Sequence, residues 1–249
     1  MDLCDSLKKS KKFIYPITVC PRPDGKLILV KGNHRASIAK KLGMDIKAVF
    51  ISPATHLRLK MPYQSIFDGD TRLVEGRRPD ILERMKMLNR EDVAGKTILD
   101  LGCNIGSNCI VAAQLGAAKT FGIDYSPRLI SVAIRLNSYF SLPCDFLVHD
   151  LNSRLTDVEP ADTVFCFSLV KRLERPLELY RSIMDLTKSV LYFEGHAFTE
   201  QVDYQELLNK DNFVSIDLVG YTRNRIDNKK RNRPLFRCIR RPTSAEPSA

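Results

Sequence analysis

The chain has no tryptophan, no Cys-x-x-Cys pair and no internal repeat among its 249 residues. It has no uncharged apolar run near the ~18 residues that a membrane-spanning helix needs, so no membrane partner is expected. The opening "MDLCDSLKKSKKF" lacks an apolar core, so no secretory signal is read there and a cytoplasmic location is expected. Seven cysteines stand singly. That pattern excludes a disulfide framework and a zinc knuckle, and no metal site is expected. What remains is an ordinary apolar share of 44% and a net charge of +10, which favours anionic partners.

Periodicity divides the chain. "FIYPITVC", the turn "PRPDG", "KLILVKG", "NHRASIAKKLG" and "DIKAVFIS" read β-β-α-β over residues 13–52, a small α+β domain. Asn33 is the expected helix N-cap and Gly43 the stop. Residues 53–79 read as an irregular linker. Asp80 is the expected cap of a helix "ILERMKMLNRED".

From Lys96 onward strands and helices alternate: "KTILDLGC", "IGSNCIVAAQLG", "TFGIDY", "PRLISVAIRLNSYF", "CDFLVHD", "ADTVFCFS", "RPLELYRSIMDLT" and "SVLYFEGH". This implies an α/β fold, a doubly wound, mostly parallel sheet over residues 80–241. "FVSIDLVGYT" and "PLFRCIR" lack a helix between them, only the polar loop "RNRIDNKKRNR", and so form a C-terminal antiparallel hairpin. Residues 242–249, "PTSAEPSA", read as a disordered tail.

The decisive stretch is "ILDLGCNIGSNCI", residues 98–110. In a doubly wound sheet the ligand lies at the carboxyl ends of the strands, beyond the first βα turn. Gly102 and Gly106 permit a tight turn and close approach, and the helix that follows, expected from about Ile105, presents free N–H groups. The dinucleotide fingerprint G-x-G-x-x-G fails at Asn104 and at Ser107. The pattern acid-x-Gly-x-Gly-x-Gly fits from Asp100 to Gly106, with Asn104 at the middle glycine. Asparagine tolerates the left-handed backbone well. Asp100 sits inside an apolar strand and needs supplied partners, either N–H groups of its own loop or a ligand ammonium.

This loop resembles that of the class I S-adenosylmethionine-dependent methyltransferases, whose Rossmann-like fold also closes with an antiparallel hairpin. The resemblance covers about residues 80–241. It implies S-adenosylmethionine as cofactor, held by Asp100, Gly102, Asn104 and Gly106, with Asp124 at the end of the second strand on the ribose hydroxyls. Asp150, at the end of the third, meets the adenine amine, and Tyr125, Leu151 and Phe167 complete the set. Where many relatives carry a basic histidine after the fourth strand, this chain has Lys171 and Arg172, a clamp for a phosphate or carboxylate. Glu194 and His196, at the end of the fifth strand, are the candidate general bases.

The N-terminal "DGKLILVKGNHRASIAKKLG" resembles the ParB/sulfiredoxin-like fold, whose Gly-x-His-Arg turn binds a nucleotide phosphate. Gly32, His34 and Arg35 match that motif. Asn33 replaces the sulfiredoxin cysteine, so sulfinic-acid repair is not expected. The resemblances together imply a methyltransferase acting on an anionic small molecule. Its acceptor is expected near Gly32, His34, Arg35, Arg77, Arg78, Lys171 and Arg172. One alternative is an RNA methyltransferase, supported by the basic tail but not by interleaved aromatics. The other is a non-catalytic ligand-sensing module whose ParB-like part contacts DNA or protein.

Overall fold

The structure is a computed structural model and describes residues 15–59, 61–169, 173–195, 208–209, 211–224 and 231–241. The chain divides after residue 60 into two compact units.

In the first unit, β1 (Ile17–Pro21) and β2 (Leu27–Lys31) pair antiparallel. The turn between them closes at Gly25, φ +76°. Helix α1 (Asn33–Leu42) follows, and β3 (Ala48–Phe50) returns parallel to β1. The helix stops at left-handed Gly43, as expected, but its N-cap is Gly32 rather than Asn33. Gly32 adopts φ +104°, and a Cβ there would come within 2.8 Å of the Ile17 side chain. That glycine therefore has a local structural cause.

Residues 53–79 are not an irregular linker. Helix α2 (Pro53–Leu57), capped by Ser52 Oγ on the Thr55 N–H at 3.2 Å, belongs to the first unit. Strands β4 (Ile66–Asp68) and β5 (Thr71–Val74) form a hairpin of the second unit, turning at Gly69-Asp70 with Gly69 at φ +54°. The second unit thus starts at residue 61, not 80. Helix α3 (Ile81–Met85) is shorter than expected and leads to a single 3-10 turn at Arg90–Asp92. The bend carries Asp92 to Tyr192 and Arg237, whose Oη and Nε donate to it at 2.7 Å each.

The second unit is the expected alternation. Strands β6 (Thr97–Leu101), β7 (Lys119–Asp124), β8 (Cys144–Val148), β9 (Ala161–Phe167) and β10 (Thr187–Glu194) run parallel. Between them lie α4 (Ser107–Gln114), α5 (Pro127–Phe140) and α6 (Pro176–Leu186). The strands β11 (Phe213–Asn224) and β12 (Arg231–Arg240) pair antiparallel, and β12 docks antiparallel on β10. The order is β11-β12-β10-β9-β6-β7-β8. The chain reverses direction across the sheet between β6 and β9, which opens a crevice at their carboxyl ends.

Period-2 alternation buries both faces. Leu99, Leu101, Val164, Cys166, Leu191 and Phe193 pack with Leu179, Ile183 and Leu186 of α6. Ile98, Phe165, Val190 and Tyr192 face the other way, onto Ile81 and Met85 of α3 and Val111 and Ala112 of α4. A sheet covered on both sides places its ligand at the strand ends. No helix among the described residues is long and apolar enough to cross a membrane.

Candidate functional site

The turn after β6 is built from left-handed residues: Gly102 at φ +74°, Asn104 at +56° and Gly106 at +77°. The Gly102 and Cys103 N–H groups both donate to the Ile123 carbonyl, at 2.8 and 2.9 Å, which ties the turn to the end of β7. A Cβ on Gly106 would meet the Phe146 ring at 2.5 Å, and one on Gly102 would meet Leu169 at 3.0 Å. Conformation and space both demand glycine at these two positions. Helix α4 begins at Ser107, two residues later than expected from sequence.

Asp124 ends β7, buried, with a backbone N–H on each carboxylate oxygen. Oδ2 accepts from Asn104 N–H and Oδ1 from Ser126 N–H, each at 3.0 Å. Asp150 does not end β8, which stops at Val148. It sits in the turn beyond, where Oδ1 accepts from the backbone and side-chain amides of Asn152 at 3.0 Å. A cleft of about 600 Å³ lies over these strand ends. Gly102, Asn104, Asp124, Tyr125, Asp150, Leu151 and Phe167 line one part of it, and Gln64, Arg78, Arg84, Ser168 and Glu194 another.

Asp100 lies beneath the loop and is 1% exposed. Its partners are not loop N–H groups. Oδ2 accepts from Asn108 Nδ2 at 3.1 Å, and Oδ1 is buried without a partner. Burial, with help from nearby Asp124, pushes the carboxyl up to about 7 against the opposing pull of Asn108 and Arg84.

Glu194 is the largest departure from expectation. It ends β10 inside the cleft, but it is caged. Arg84 Nη1 lies 3.3 Å from it, Arg78 Nη2 3.7 Å and Arg233 Nη1 3.8 Å, and the Ser168 and Thr222 hydroxyls donate to it. Burial alone raises a carboxyl, yet Arg84, Arg78 and the two hydroxyls outweigh it and hold Glu194 down to about 2. Such a carboxylate is a poor base at neutral pH, so the expected general-base role does not fit it.

Arg78, expected as an acceptor clamp, does line the cleft. Its Nε and Nη2 form a fork on Asp80 at 2.8 Å each, so Asp80 does not cap α3 with its side chain. Arg77 is exposed and lies over the Tyr63 ring, 5.9 Å from its centroid. Gly32, His34 and Arg35 belong to the first unit. His34 is exposed there, and Arg35 Nη1 donates to the Tyr15 carbonyl at 2.8 Å and to that of Pro16, tying down the start of β1. His196, Lys171 and Arg172 lie outside the described residues, as does the tail 242–249.

Several site residues were missed by sequence reasoning. Arg84 Nη2 donates to Asn108 Oδ1 at 2.7 Å, and its guanidinium lies 4.2 Å from the Phe167 ring centroid. Arg233 was assigned to the polar loop, but it stands in β12 and donates to Ser168 Oγ at 2.6 Å. Ser168 itself adopts φ +54° at the end of β9. No local pattern marks these residues.

A family model described as "Methyltransferase domain" matches residues 92–230, more than half of the chain. The ribosomal protein L11 methyltransferase of Histophilus somni (strain 2336) is 32% identical over 114 residues, 45% of this chain and 37% of that one. Its namesake in Enterobacter sp. (strain 638) is 33% identical over 135 residues, 52% of this chain and 45% of that one. The chain thus spans less than half the length of these curated relatives. Among solved structures, magnesium protoporphyrin IX methyltransferase from Synechocystis PCC 6803, crystallised with S-adenosylmethionine, superposes with a TM-score of 0.52 at 19% identity, over 65% of this chain and 78% of that one. The bifunctional kinase-methyltransferase WbdD gives 0.58 at 20%, over 74% of this chain and 45% of that one. With the family model spanning most of the doubly wound unit, the chain belongs to the methyltransferase domain family.

Proposed function

We propose that the acid-lined part of the cleft holds S-adenosylmethionine and that the arginine-lined part receives an anionic small molecule, phosphorylated or carboxylated. The observation that carries this reading is the division of charge within one cleft. The cofactor brings an ammonium, an adenine amine and ribose hydroxyls, all donors. Asp124 and Asp150 offer carboxylate acceptors, and Asp100 Oδ1 and Asn104 Oδ1 are buried acceptors without a partner. These residues fit the group. In this reading Asp124 takes the ribose hydroxyls and Asp150 the adenine amine, while Asp100 takes the ammonium. Gly102, Asn104 and Gly106 let the backbone approach. Tyr125, 72% exposed at the rim, covers the adenine with Leu151, and Phe167 borders the methionine end.

On the other side, three buried guanidinium groups, Arg78, Arg84 and Arg233, face two carboxylates, Asp80 and Glu194. A buried surplus of positive charge favours an anion. Bound S-adenosylmethionine supplies an electrophilic methyl group whose transfer leaves the bonding pair on sulfur. The chain's own part is orientation, by Gln64 and Arg78 on the acceptor and by the loop on the donor. Glu194 stays ionised and braces the arginines rather than moving a proton. An acceptor atom with a free lone pair at neutral pH suits such a site. Gly32, His34 and Arg35 remain candidates for a separate anion contact in the first unit, and Lys171, Arg172 and His196 for contacts beside the acceptor.

An RNA acceptor is the second reading, favoured by the net charge of +10. Two arginines of the basic C-terminal stretch are spent internally, however: Arg233 on Ser168 and Arg237 on Asp92. The experiment is a screen of acidic metabolites with methyl-labelled cofactor, beside RNA and ribosomal-protein arms, at two salt concentrations. A small anion in a partly enclosed site should lose little activity between about 50 and 200 mM salt, whereas RNA binding through many phosphates should fall by orders of magnitude. Labelling of RNA alone, with the steep salt slope, would overturn the small-molecule reading.

A further inference from the structure

A continuous chain of buried polar contacts joins the two halves of the cleft. Asp100 Oδ2 accepts from Asn108 Nδ2, Asn108 Oδ1 accepts from Arg84 Nη2, and Arg84 Nη1 reaches Glu194. Asn108 and Arg84 are 2% and 3% exposed. Arg84 comes from α3, outside the stretch matched by the family model. We infer that Arg84 is a positioning residue that fixes the Asn108 amide, and through it aims the unpartnered Asp100 Oδ1 at the cofactor's ammonium. This rests on the reading above that Asp100 receives that ammonium.

The logic is one of donors and acceptors. A terminal amide has one oxygen and one NH₂, and either end can face either way. Arg84 is donor-only, so its contact compels the oxygen of Asn108 toward α3. The NH₂ must then face Asp100, where it satisfies Oδ2 and leaves Oδ1 free. Without Arg84 only the ionised carboxylate still selects the NH₂, and Asn108 can turn its oxygen toward the protonated form of Asp100. Phe167 and Glu194 hold Arg84 in turn, through ring contact and charge. Lysine cannot reproduce this, because one ammonium cannot lie flat on Phe167 while forking to Asn108 and Glu194.

The groups facing Asp100 are Arg84 from α3, Asn108 and Cys109 from α4, Cys103 from the loop, Asp124 from β7 and Cys166 from β9. Arg84 is the cation among them, and its attraction favours the ionised carboxyl. Its removal therefore also raises the pH needed to charge Asp100.

Three adenosyl probes separate the possibilities in calorimetric titrations of the whole chain. They are S-adenosylhomocysteine, its decarboxylated amine, and methylthioadenosine, which has neither amine nor carboxylate. Wild-type protein should bind the first two more tightly than the third. If it does not, the assignment of Asp100 fails before Arg84 is tested. Arg84→Gln should weaken both amine-bearing probes about 10-fold or more and leave methylthioadenosine unchanged. It should also shift the binding pH profile upward, and Arg84→Lys should not rescue it. Asn108→Ala should mimic Arg84→Gln, and the double variant should be no worse than either alone. It also serves if Arg84→Gln fails to fold. Equal loss on all three probes would reduce Arg84 to a structural brace. Loss on S-adenosylhomocysteine alone would make it a direct carboxylate ligand, and no loss would remove it from the site. Each of these results overturns the proposal.

Discussion

Glu194→Gln removes one negative charge from a wall that holds three buried arginines and leaves the shape of the side chain nearly intact. Ser168 donates to one carboxylate oxygen and Thr222 to the other, so the amide keeps an acceptor for one hydroxyl and turns its NH₂ on the other, and the change removes the charge together with one acceptor. In the folded protein the carboxyl stands at about 2, against an ordinary 4.5. That gap corresponds to ~3 kcal/mol of stability supplied by the ionised form, within the 3–5 kcal/mol usual when one partner of a buried ion pair is removed. It is a large part of the ~5–15 kcal/mol that holds a typical domain together.

The sign follows from the direction. Because folding lowers this pKa, the contribution is complete above about 4.5 and drains away as pH falls through about 2. The assay is urea unfolding followed by far-ultraviolet circular dichroism, since the chain offers no tryptophan. Wild type and variant should differ by roughly 3 kcal/mol at neutral pH, and the difference should narrow in the acid range below about 4. A variant as stable as wild type at neutral pH would refute the cage. So would a turnover that collapses while stability and cofactor affinity stay unchanged, because that is the signature of a general base.

Asp124→Ala should lower S-adenosylmethionine affinity by ~1.5–3 kcal/mol, measured by titration calorimetry, through loss of charged hydrogen bonds. Unchanged affinity in folded protein would remove Asp124 from the cofactor site. Gly106→Ala places a Cβ 2.5 Å from the Phe146 ring at φ +77°, and should cost ~1–3 kcal/mol in thermal or urea unfolding. Cofactor binding should weaken as pH falls below about 7, because Asp100 must be ionised to accept an ammonium, and Asp100→Asn should flatten that profile. S-adenosylmethionine should raise the melting temperature while NAD leaves it unchanged, by linkage of the ligand to the folded state.

The residues that sequence reasoning located are those whose surroundings are local. The turn after β6 was legible because Gly102, Asn104 and Gly106 require left-handed backbone and little else, and all three adopt it. The strand alternation was legible because period-2 burial on both faces leaves apolar runs such as "TVFCF". The hairpin β4–β5 escaped because its strands are three and four residues long, and the Asp-Gly in "FDGDT" was passed over as loop. Charged residues were harder. Arg233 and Arg237 read as part of a basic, nucleic-acid-facing stretch, and Arg84 drew no reading beyond its helix, since nothing nearby in sequence pairs them. Their partners stand up to 145 positions away.

Two strand-end acids show where the limit lies. Both Asp124 and Glu194 were placed at the carboxyl ends of β7 and β10, and both stand there in the cleft. Asp124 accepts from the N–H groups of Asn104 and Ser126, within 20 positions, in the motif that drew attention to it. Neutral backbone donors leave the charge of a carboxylate in place. Glu194 meets Arg78, Arg84, Ser168, Thr222 and Arg233, drawn from the segment before β6, the end of β9 and both strands of the hairpin. Three guanidinium groups exhaust a carboxylate and suppress its basicity. Position in a doubly wound sheet therefore tells which acids stand at the cleft, while the fold's long-range contacts decide which of them are bound up by cations.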